Sequence, residues 1–277
     1  MSFPHTPDPR QIPSGCLPAD RIRIVLSRTT HPGNIGSAAR AMRTMGLDQL
    51  CLAAPETEVT SESYALAAGG AGILDHARIL PSLEEALRGA ELVFALSARR
   101  CAVDREILDP RAAARMICRA ALAGRSSALV FGCESSGLSN SELDLCGYHV
   151  AIDADPDYSS LNLAMAVQVI CYEIRCAFLA VRSGALPASD QGTGEAPPAS
   201  RCADGAEMAA FGRHLEEVLS RVGFLKPGTG DHVIRKIRGI FARSRLTREE
   251  VNILRGALTE TQRTLDRAEK NSRSPGD

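Results

Sequence analysis

The sequence lacks the features that mark membrane-spanning, secreted or disordered chains. Among its 277 residues, no apolar run approaches the roughly 20 residues that a membrane span needs. The Pro-rich N-terminus contains no apolar segment of the kind found in a signal peptide. Hydrophobic residues make up 44% of the chain and the formal charge is only -1, so the chain can bury a core. We therefore expect a globular cytoplasmic protein with no membrane partner.

Closely paired cysteine and histidine motifs are also missing. The nine cysteines include no Cys-x-x-Cys pair, and the six histidines form no His-Glu-x-x-His pattern. Disulfide frameworks and metal sites both need closer or paired spacing. The sequence therefore predicts reduced, mostly buried thiols and no metal site.

The common nucleotide-binding and hydrolase signatures are absent as well. No G-x-G-x-x-G follows the first predicted strand, and no G-x-x-x-x-G-K-[ST] occurs anywhere. The stretch from Gly132 to Gly137 looks like the nucleophile elbow of serine hydrolases, but Glu134 stands where that motif needs serine. These absences argue against dinucleotide-binding, P-loop and serine hydrolase chemistry.

What the sequence does contain is an alternation of strand and helix patterns between residues 21 and 182. The predicted strands lie at 21–26, 50–54, 79–80, 92–96, 128–131 and 149–152. The predicted helices lie at 36–45, 61–68, 110–123, 140–146 and 160–181, with a further helix opened by the capping sequence at Ser82. Several strands are uninterrupted apolar runs, which is typical of parallel sheets covered on both faces. The pattern predicts an α/β domain with five or six strands.

The chain divides by composition into four parts. We expect a flexible leader at 1–20, the α/β domain at 21–182, a Pro/Gly-rich linker at 183–205 and three amphipathic helices at 206–277. The last part holds 14 basic and 10 acidic side chains, a net charge of +4. Six of its basic residues, between Arg235 and Arg248, occupy a stretch without acids, which indicates either phosphate contact or a solvated helix face.

Three polar clusters lie at predicted strand ends or helix starts, at residues 29–40, 131–140 and 158–166. Backbone amides at such places are free to bind a ligand. One cluster would be ordinary turn chemistry, but three in one domain predict a binding site.

These clusters resemble the three motifs of the SpoU (TrmH) class of SPOUT RNA ribose 2′-O-methyltransferases, and the TrmJ type in particular. The matching segments are HPGNIGSAARAMRTMGL, the triplet Ser97–Arg99, LVFGCESSGLSNSEL, HVAIDADPDYSSLNLAMAVQVICYEIR, GFLKPGTGDHVIRKIRGIFARSR and VNILRGAL. The resemblance implies a SPOUT fold, which is a mostly parallel sheet with a C-terminal trefoil knot, followed here by a small helical domain. It also implies a homodimer whose active sites lie at the interface, with tRNA as the substrate.

The resemblance further implies an activity and its residues. The activity is S-adenosylmethionine-dependent methylation of a ribose 2′-hydroxyl in the tRNA anticodon loop, at a cytidine or uridine of position 32. Matching the motifs assigns the cofactor S-adenosylmethionine to Leu96, Ser97, Ala98, Gly132, Ile152, Ser159, Ser160 and Leu161. It assigns the chemistry to Arg40, Asn34, Glu134, Ser160 and Asn162.

Arg40 matches the catalytic arginine of the family. It lies about one helical turn beyond Gly36, so Asn34 and Arg40 can face one crevice. Arginine is a poor base because its pKa exceeds about 12. We favour a role in clamping the neighbouring phosphate and stabilising the developing alkoxide, while transient deprotonation of Arg40 stays open.

Several alternatives stay open at this point. Glu134 orients either Arg40 or a neighbouring amide, and Asn162 either supports the reaction or only bonds the start of its helix. Cys133 and Ser135 stand where TrmJ-type relatives usually carry arginine, and the loss of two basic groups beside the crevice would either weaken phosphate contact or change the substrate. The alternative functions are a knotted dimer that binds RNA without methylating it, a ribose methyltransferase for another tRNA or rRNA nucleotide, and a C-terminal DNA-binding module.

Overall fold

One parallel β-sheet organises the protein. The computed structural model describes residues 17–97, 107–186, 202–226, 230–244 and 246–273. Within these residues seven strands pair in the order β3-β2-β1-β6-β4-β7-β5, and every pairing is parallel. The strands are β1 (Ile22–Ser27), β2 (Gln49–Ala53), β3 (Arg78–Leu80), β4 (Leu92–Leu96), β5 (Ile107–Leu108), β6 (Ser127–Phe131) and β7 (Tyr148–Val150).

Ten α-helices accompany the sheet within the same ranges. Seven follow or connect the strands: α1 (Pro32–Met45), α2 (Ser61–Ala67), α3 (Ala71–Asp75), α4 (Leu83–Ala86), α5 (Pro110–Leu122), α6 (Asn140–Asp144) and α7 (Leu163–Arg182). Three come last: α8 (Gly205–Arg221), α9 (Gly230–Arg243) and α10 (Arg248–Arg273).

Both faces of the sheet are covered by apolar side chains. Ile22, Ile24 and Leu26 of β1 belong to a core shared with α1, α5 and α7. Val25 points to the other face and belongs to a second core shared with α4 and α6. This two-sided burial explains the uninterrupted apolar strands, and it confirms the predicted α/β class and parallel sheet.

Helix α7 is the one described helix that is long and apolar enough to cross a membrane. Its inner side chains, including Val167, Ile170 and Ile174, are fully buried in the core beside α1 and α5. We therefore interpret α7 as a core helix.

The structure departs from the sequence pattern at several elements. Helix α3 was not predicted, and α1 begins at Pro32, four residues before the predicted start at 36. Strand β5 was missed because two residues carry no periodicity. Helix α7 begins at Leu163, later than the predicted 160, because Asn162 caps it: the Asn162 Oδ1 accepts a hydrogen bond from the Ala164 N–H at 2.9 Å.

The three C-terminal helices dock on the sheet face that carries α4 and α6. They have a small core of their own, which includes Phe211, Leu215 and Ile234. The Gly205 N–H donates to the Ala90 carbonyl at 3.0 Å. A Cβ on Gly205 would lie 2.9 Å from the Leu87 Cβ, so the start of α8 approaches this face too closely for a side chain.

A buried carboxylate fixes the loop after β6 to the end of β1. Glu142 of α6 accepts hydrogen bonds from the Ser27 hydroxyl at 2.6 Å, the Arg28 Nη2 at 2.9 Å and the Ser139 N–H at 2.7 Å. Burial alone would raise the pKa of Glu142, but the bonds from Arg28, Ser27 and Ser139 hold its pKa below the ordinary value. Glu142 is therefore ionised and ties three segments together.

We expect Glu142→Gln to lower the free energy of unfolding at neutral pH by about 2 kcal/mol, since hydrogen bonds to a charged group contribute about 1.5–3 kcal/mol. The folded-state pKa of Glu142 lies below its unfolded value of 4.5. The stabilisation is therefore present above pH 4.5 and is lost as the pH falls towards the folded-state pKa. Urea unfolding of both proteins at several pH values measures this difference.

Glu58→Gln is the matched control, because Glu58 is exposed and has no hydrogen bond or ion pair within the described ranges. It should leave the unfolding free energy unchanged. A gap between wild type and Glu142→Gln that stays constant into the acid range would contradict the assignment of an ionised Glu142.

Candidate active site

The three polar clusters meet at the carboxyl edge of the sheet. Strands β1, β6, β4 and β7 are neighbours, so the segments that follow β1, β6 and β7 emerge at one edge. A cavity of about 350 Å³ opens there. Its lining residues are Leu96, Ser97, Gly132, Cys133, Glu134, Ser135, Ser136, Gly137, Val150, Ile152, Ser159, Ser160, Leu161, Leu163 and Ala166.

This cavity brings together nearly all residues that the sequence assigned to the cofactor. The seven assigned residues that line it are Leu96, Ser97, Gly132, Ile152, Ser159, Ser160 and Leu161. The eighth, Ala98, lies outside the described residues. The apolar lining also includes Val150, Leu163 and Ala166, which were not predicted although each lies within a few residues of an assigned position.

The cavity wall formed by the loop after β6 requires glycine at two positions. A Cβ on Gly132 would lie 2.2 Å from the carbonyl carbon of Gly137, far inside van der Waals contact. Gly137 has a φ of +65° and its N–H donates to the Cys133 carbonyl at 2.8 Å, which folds the loop back on itself. Cavity shape on this side is therefore set by the backbone.

A chain of hydrogen bonds joins the three clusters beside the cavity. Glu134 Oε2 accepts from the N–H of Thr30 at 3.0 Å and from its hydroxyl at 2.9 Å. Glu134 Oε1 accepts from Asn34 Nδ2 at 2.9 Å. Asn34 Oδ1 in turn accepts from Asn162 Nδ2 at 3.0 Å. Glu134 thus bonds an amide, one of the two roles that the sequence left open.

The Glu134 carboxyl is ionised in this arrangement. Burial alone would raise its pKa, but the hydrogen bonds from Asn34 and Thr30 hold the pKa below its ordinary value. All of these donors are neutral groups. A carboxylate whose oxygens already accept this many bonds is suited to fix its neighbours and poorly suited to accept a substrate proton.

Arg40 lies apart from this network. It is exposed on α1, about one and a half helical turns after Asn34, and it does not line the cavity. Within the described part of the chain, its guanidinium has no hydrogen bond or ion pair. The helix that carries it is fixed by close backbone approach, since a Cβ on Gly36 would lie 2.1 Å from the Ser63 carbonyl oxygen.

The cavity rim is rich in hydroxyls and thiol. Ser135, Ser136, Ser159 and Ser160 are exposed there. The Cys133 Sγ lies 3.4 Å from the Ser135 Oγ, and that contact lowers the pKa of the thiol. Glu134 is the one charged side chain among the lining residues of the described chain.

The six basic residues between Arg235 and Arg248 are partly neutralised by acidic side chains. Arg238 forms an ion pair with Glu216, and Arg248 pairs with Glu207 at 2.6 Å. Arg245 and the side chain of Arg243 lie outside the described residues. Two of the six residues are therefore engaged with acids, which weakens the prediction of a six-residue phosphate surface.

Besides the apolar lining residues, sequence reasoning missed Thr30 and Glu142 as parts of the site. Thr30 falls within the first cluster, but nothing in its local pattern shows that it meets Glu134. In the described chain, no group of three or more His, Cys, Asp or Glu residues is placed to hold a metal ion.

Comparison with known families matches both parts of the chain. The SpoU rRNA methylase family matches residues 21–172, and the C-terminal domain of the tRNA methyltransferase TrmJ matches residues 206–270. A tRNA (cytidine/uridine/adenosine-2′-O-)-methyltransferase TrmJ from Pseudomonas aeruginosa is 44% identical over 88% of this chain and 95% of its own length. A tRNA (cytidine/uridine-2′-O-)-methyltransferase TrmJ from Cronobacter sakazakii is 46% identical over 87% of this chain and 96% of its own.

Solved structures give a consistent comparison. TrmJ from Z. mobilis ZM4 superposes with a TM-score of 0.71 at 27% identity, covering 87% of this chain and 98% of that one. A probable methylase family protein from Haemophilus influenzae Rd KW20 is 41% identical with a TM-score of 0.57, covering 90% of this chain and 98% of that one.

Proposed function

The chain belongs to the SpoU rRNA methylase family, and from that membership we propose that it transfers a methyl group from S-adenosylmethionine to a ribose 2′-hydroxyl of tRNA. The observation that carries the proposal is a cavity lined by the second and third polar clusters, to which the hydrogen bonds of Glu134 and Asn162 join the first cluster. The proposed target is a cytidine or uridine at position 32 of the anticodon loop. The names of the relatives, which specify tRNA and the 2′-oxygen, support the substrate class.

The cavity fits the methyl donor in size and chemistry. Its volume of about 350 Å³ lies in the range of small-molecule sites. Leu96, Ile152 and Leu161 offer apolar contact for a flat base, while Ser159 and Ser160 offer hydroxyls for polar edges. When bound, the donor supplies an electrophilic methyl carbon attached to a sulfonium.

The chain's own residues must orient the ribose and accommodate its proton. In the reaction the ribose oxygen forms a bond to the methyl carbon, the bond from that carbon to sulfur breaks, and the hydroxyl proton leaves. In-line placement of the hydroxyl accounts for much of the acceleration in such reactions. Asn34 and Asn162, held by Glu134, are placed to define the side of the cavity from which the ribose approaches.

We assign Arg40 to the phosphate beside the target ribose. A guanidinium is matched to phosphate geometry and stays protonated, so it stabilises the negative charge that develops on the attacking oxygen. Its exposure and its freedom from partners in the described chain support that role. Because Arg40 does not line the cavity of its own chain, we propose that it serves the cavity of a second copy.

The proposed dimer is supported by an exposed apolar face on α7. Met165, Tyr172 and Leu179 recur at intervals of seven residues and share one side of the helix. They are 61%, 53% and 41% exposed. A face of this kind, next to the cavity wall, is suited to bury itself against a second copy of the chain.

We also propose the trefoil knot and the domain division. Strand β7 lies between β4 and β5, which are consecutive in the chain. The Ser97 N–H donates to the Val150 carbonyl and the Ala151 N–H donates to the Leu108 carbonyl, so the end of β7 lies between Ser97 and Leu108.

We also propose that the chain divides into a leader at 1–20, the α/β domain at 21–182, a linker at 183–205 and the C-terminal helices at 206–277. The proposed location of the protein is the cytoplasm.

We expect Arg40→Ala to lower the rate of methyl transfer to unmodified tRNA at least about a hundredfold, because it removes a charge that acts in the transition state. Affinity for S-adenosylmethionine should stay unchanged, since Arg40 does not line the cavity. Transfer of labelled methyl, followed by nuclease digestion and mapping of 2′-O-methyl nucleosides, gives both the rate and the position.

Arg115→Ala provides the control, because Arg115 is an exposed helical arginine without a partner in the described chain. It should transfer at the wild-type rate. Arg40→Ala within threefold of wild type would refute the assignment of Arg40. Donor binding by wild type without transfer to any RNA would favour the non-catalytic RNA-binding dimer instead.

We expect Tyr172→Glu to convert the dimer to a monomer and to abolish methyl transfer, because a charge at the centre of an apolar interface is costly to bury. The matched control is Ile253→Glu on α10, where the isoleucine is 71% exposed. Light scattering after size-exclusion chromatography measures the mass. Equal masses for the two variants would contradict the α7 interface.

A further inference from the structure

We propose that Thr30 is a positioning residue of the methyl transfer, acting through Glu134 on Asn34. This inference rests on the function proposed above and names a residue that the motifs alone do not single out. Thr30 is half-buried and does not line the cavity, so its effect on the reaction has to pass through the residues it holds.

The directions of the hydrogen bonds beside the cavity are all fixed. Asn162 Oδ1 accepts from the Ala164 N–H, so the amide nitrogen of Asn162 must face Asn34. Asn34 then presents its oxygen to Asn162 and its nitrogen to Glu134 Oε1. Reversing either amide would set donor against donor or acceptor against acceptor.

Thr30 holds the Glu134 end of this row of hydrogen bonds. Glu134 Oε2 accepts hydrogen bonds from the N–H of Thr30 at 3.0 Å and from its hydroxyl at 2.9 Å. No arginine or lysine pairs with Glu134 in the described chain. Neutral donors alone therefore stabilise the charge, and losing the Thr30 hydroxyl leaves Oε2 with one donor, which weakens the hold on the carboxylate plane.

A change in the orientation of Glu134 would affect the substrate through the side-chain amide of Asn34. Its amide has one further N–H and one further lone pair that the network leaves unused. If Glu134 turns, the Asn34 amide loses its fixed plane, and with it the fixed direction of these remaining groups. The expected defect is thus in the rate of the bound complex, and donor affinity should be retained.

The adjacent residue offers a close internal control. Thr29 is fully buried, and its hydroxyl has no hydrogen-bond partner within the described residues. Threonine to valine at either position keeps the branched shape and removes one hydroxyl. Only at position 30 does that change remove a bond to Glu134.

The experiment compares Thr30→Val, Thr30→Ser and Thr29→Val in the full-length protein. We expect Thr30→Val to lower kcat for methyl transfer to tRNA about tenfold, the effect of losing one hydrogen bond to a charged group. The KM for S-adenosylmethionine should change less than about twofold, because the cavity wall is intact. Thr30→Ser, which keeps the hydroxyl, and Thr29→Val should both stay within about twofold of wild-type kcat.

Calorimetric titration with S-adenosylmethionine and thermal unfolding accompany the kinetics. Wild-type kcat in Thr30→Val, an equal loss in Thr29→Val, or failure of Thr30→Ser to retain activity would each overturn the proposal. A loss confined to KM or to folding would also overturn it, because that marks a merely structural role. Failure of the proposed function is recognised separately, since wild type itself would then transfer no methyl group to tRNA.

Discussion

The ionised carboxylate of Glu134 is the contact on which the site depends. It accepts hydrogen bonds from Thr30 and Asn34, which lie about a hundred residues earlier in the chain. Through Asn34 it also reaches Asn162, the cap of α7. Three segments that are remote in sequence are thereby held in one arrangement beside the cavity. Hydrogen bonds to a charged carboxylate are stronger than neutral ones, and because the carboxylate only accepts, it also fixes which way the Asn34 amide faces.

The sheet makes that convergence possible. Because all pairings are parallel and β1, β6, β4 and β7 are neighbours, the segments after β1, β6 and β7 emerge at one edge. Glu142 adds a second fixed point, since it joins Ser27 and Arg28 at the end of β1 to Ser139 in the loop after β6. The C-terminal helices pack on the same face as α6, and Arg238 of α9 lies 3.9 Å from the carboxylate of Asp144 in α6.

Local patterns predicted much of this fold. The strand that begins at Ile22 alternates before it turns apolar, while 92–96 and 128–131 are uninterrupted apolar runs, and the structure has all three strands within a residue of the predicted positions. The cavity residues were assigned by resemblance, and those described do line one cavity, while their roles stay predictions. The bonds from Thr30 to Glu134 and from Ser27 to Glu142 had no sequence signal, because a polar contact across a hundred residues leaves no local periodicity. Arg40 shows a further limit: it does not line the cavity of its own chain, so its assignment to the reaction depends on the proposed dimer.

The most direct test of this account is the rate of methyl transfer to tRNA by Glu134→Gln. Glutamine keeps the size of the side chain but replaces one acceptor oxygen with an NH2 group, which would face donors from Thr30 or Asn34. The account predicts a folded protein that still binds S-adenosylmethionine and transfers its methyl group at least about tenfold more slowly than wild type. Transfer by Glu134→Gln at the wild-type rate would contradict it, because the three segments would then work without an ionised carboxylate between them.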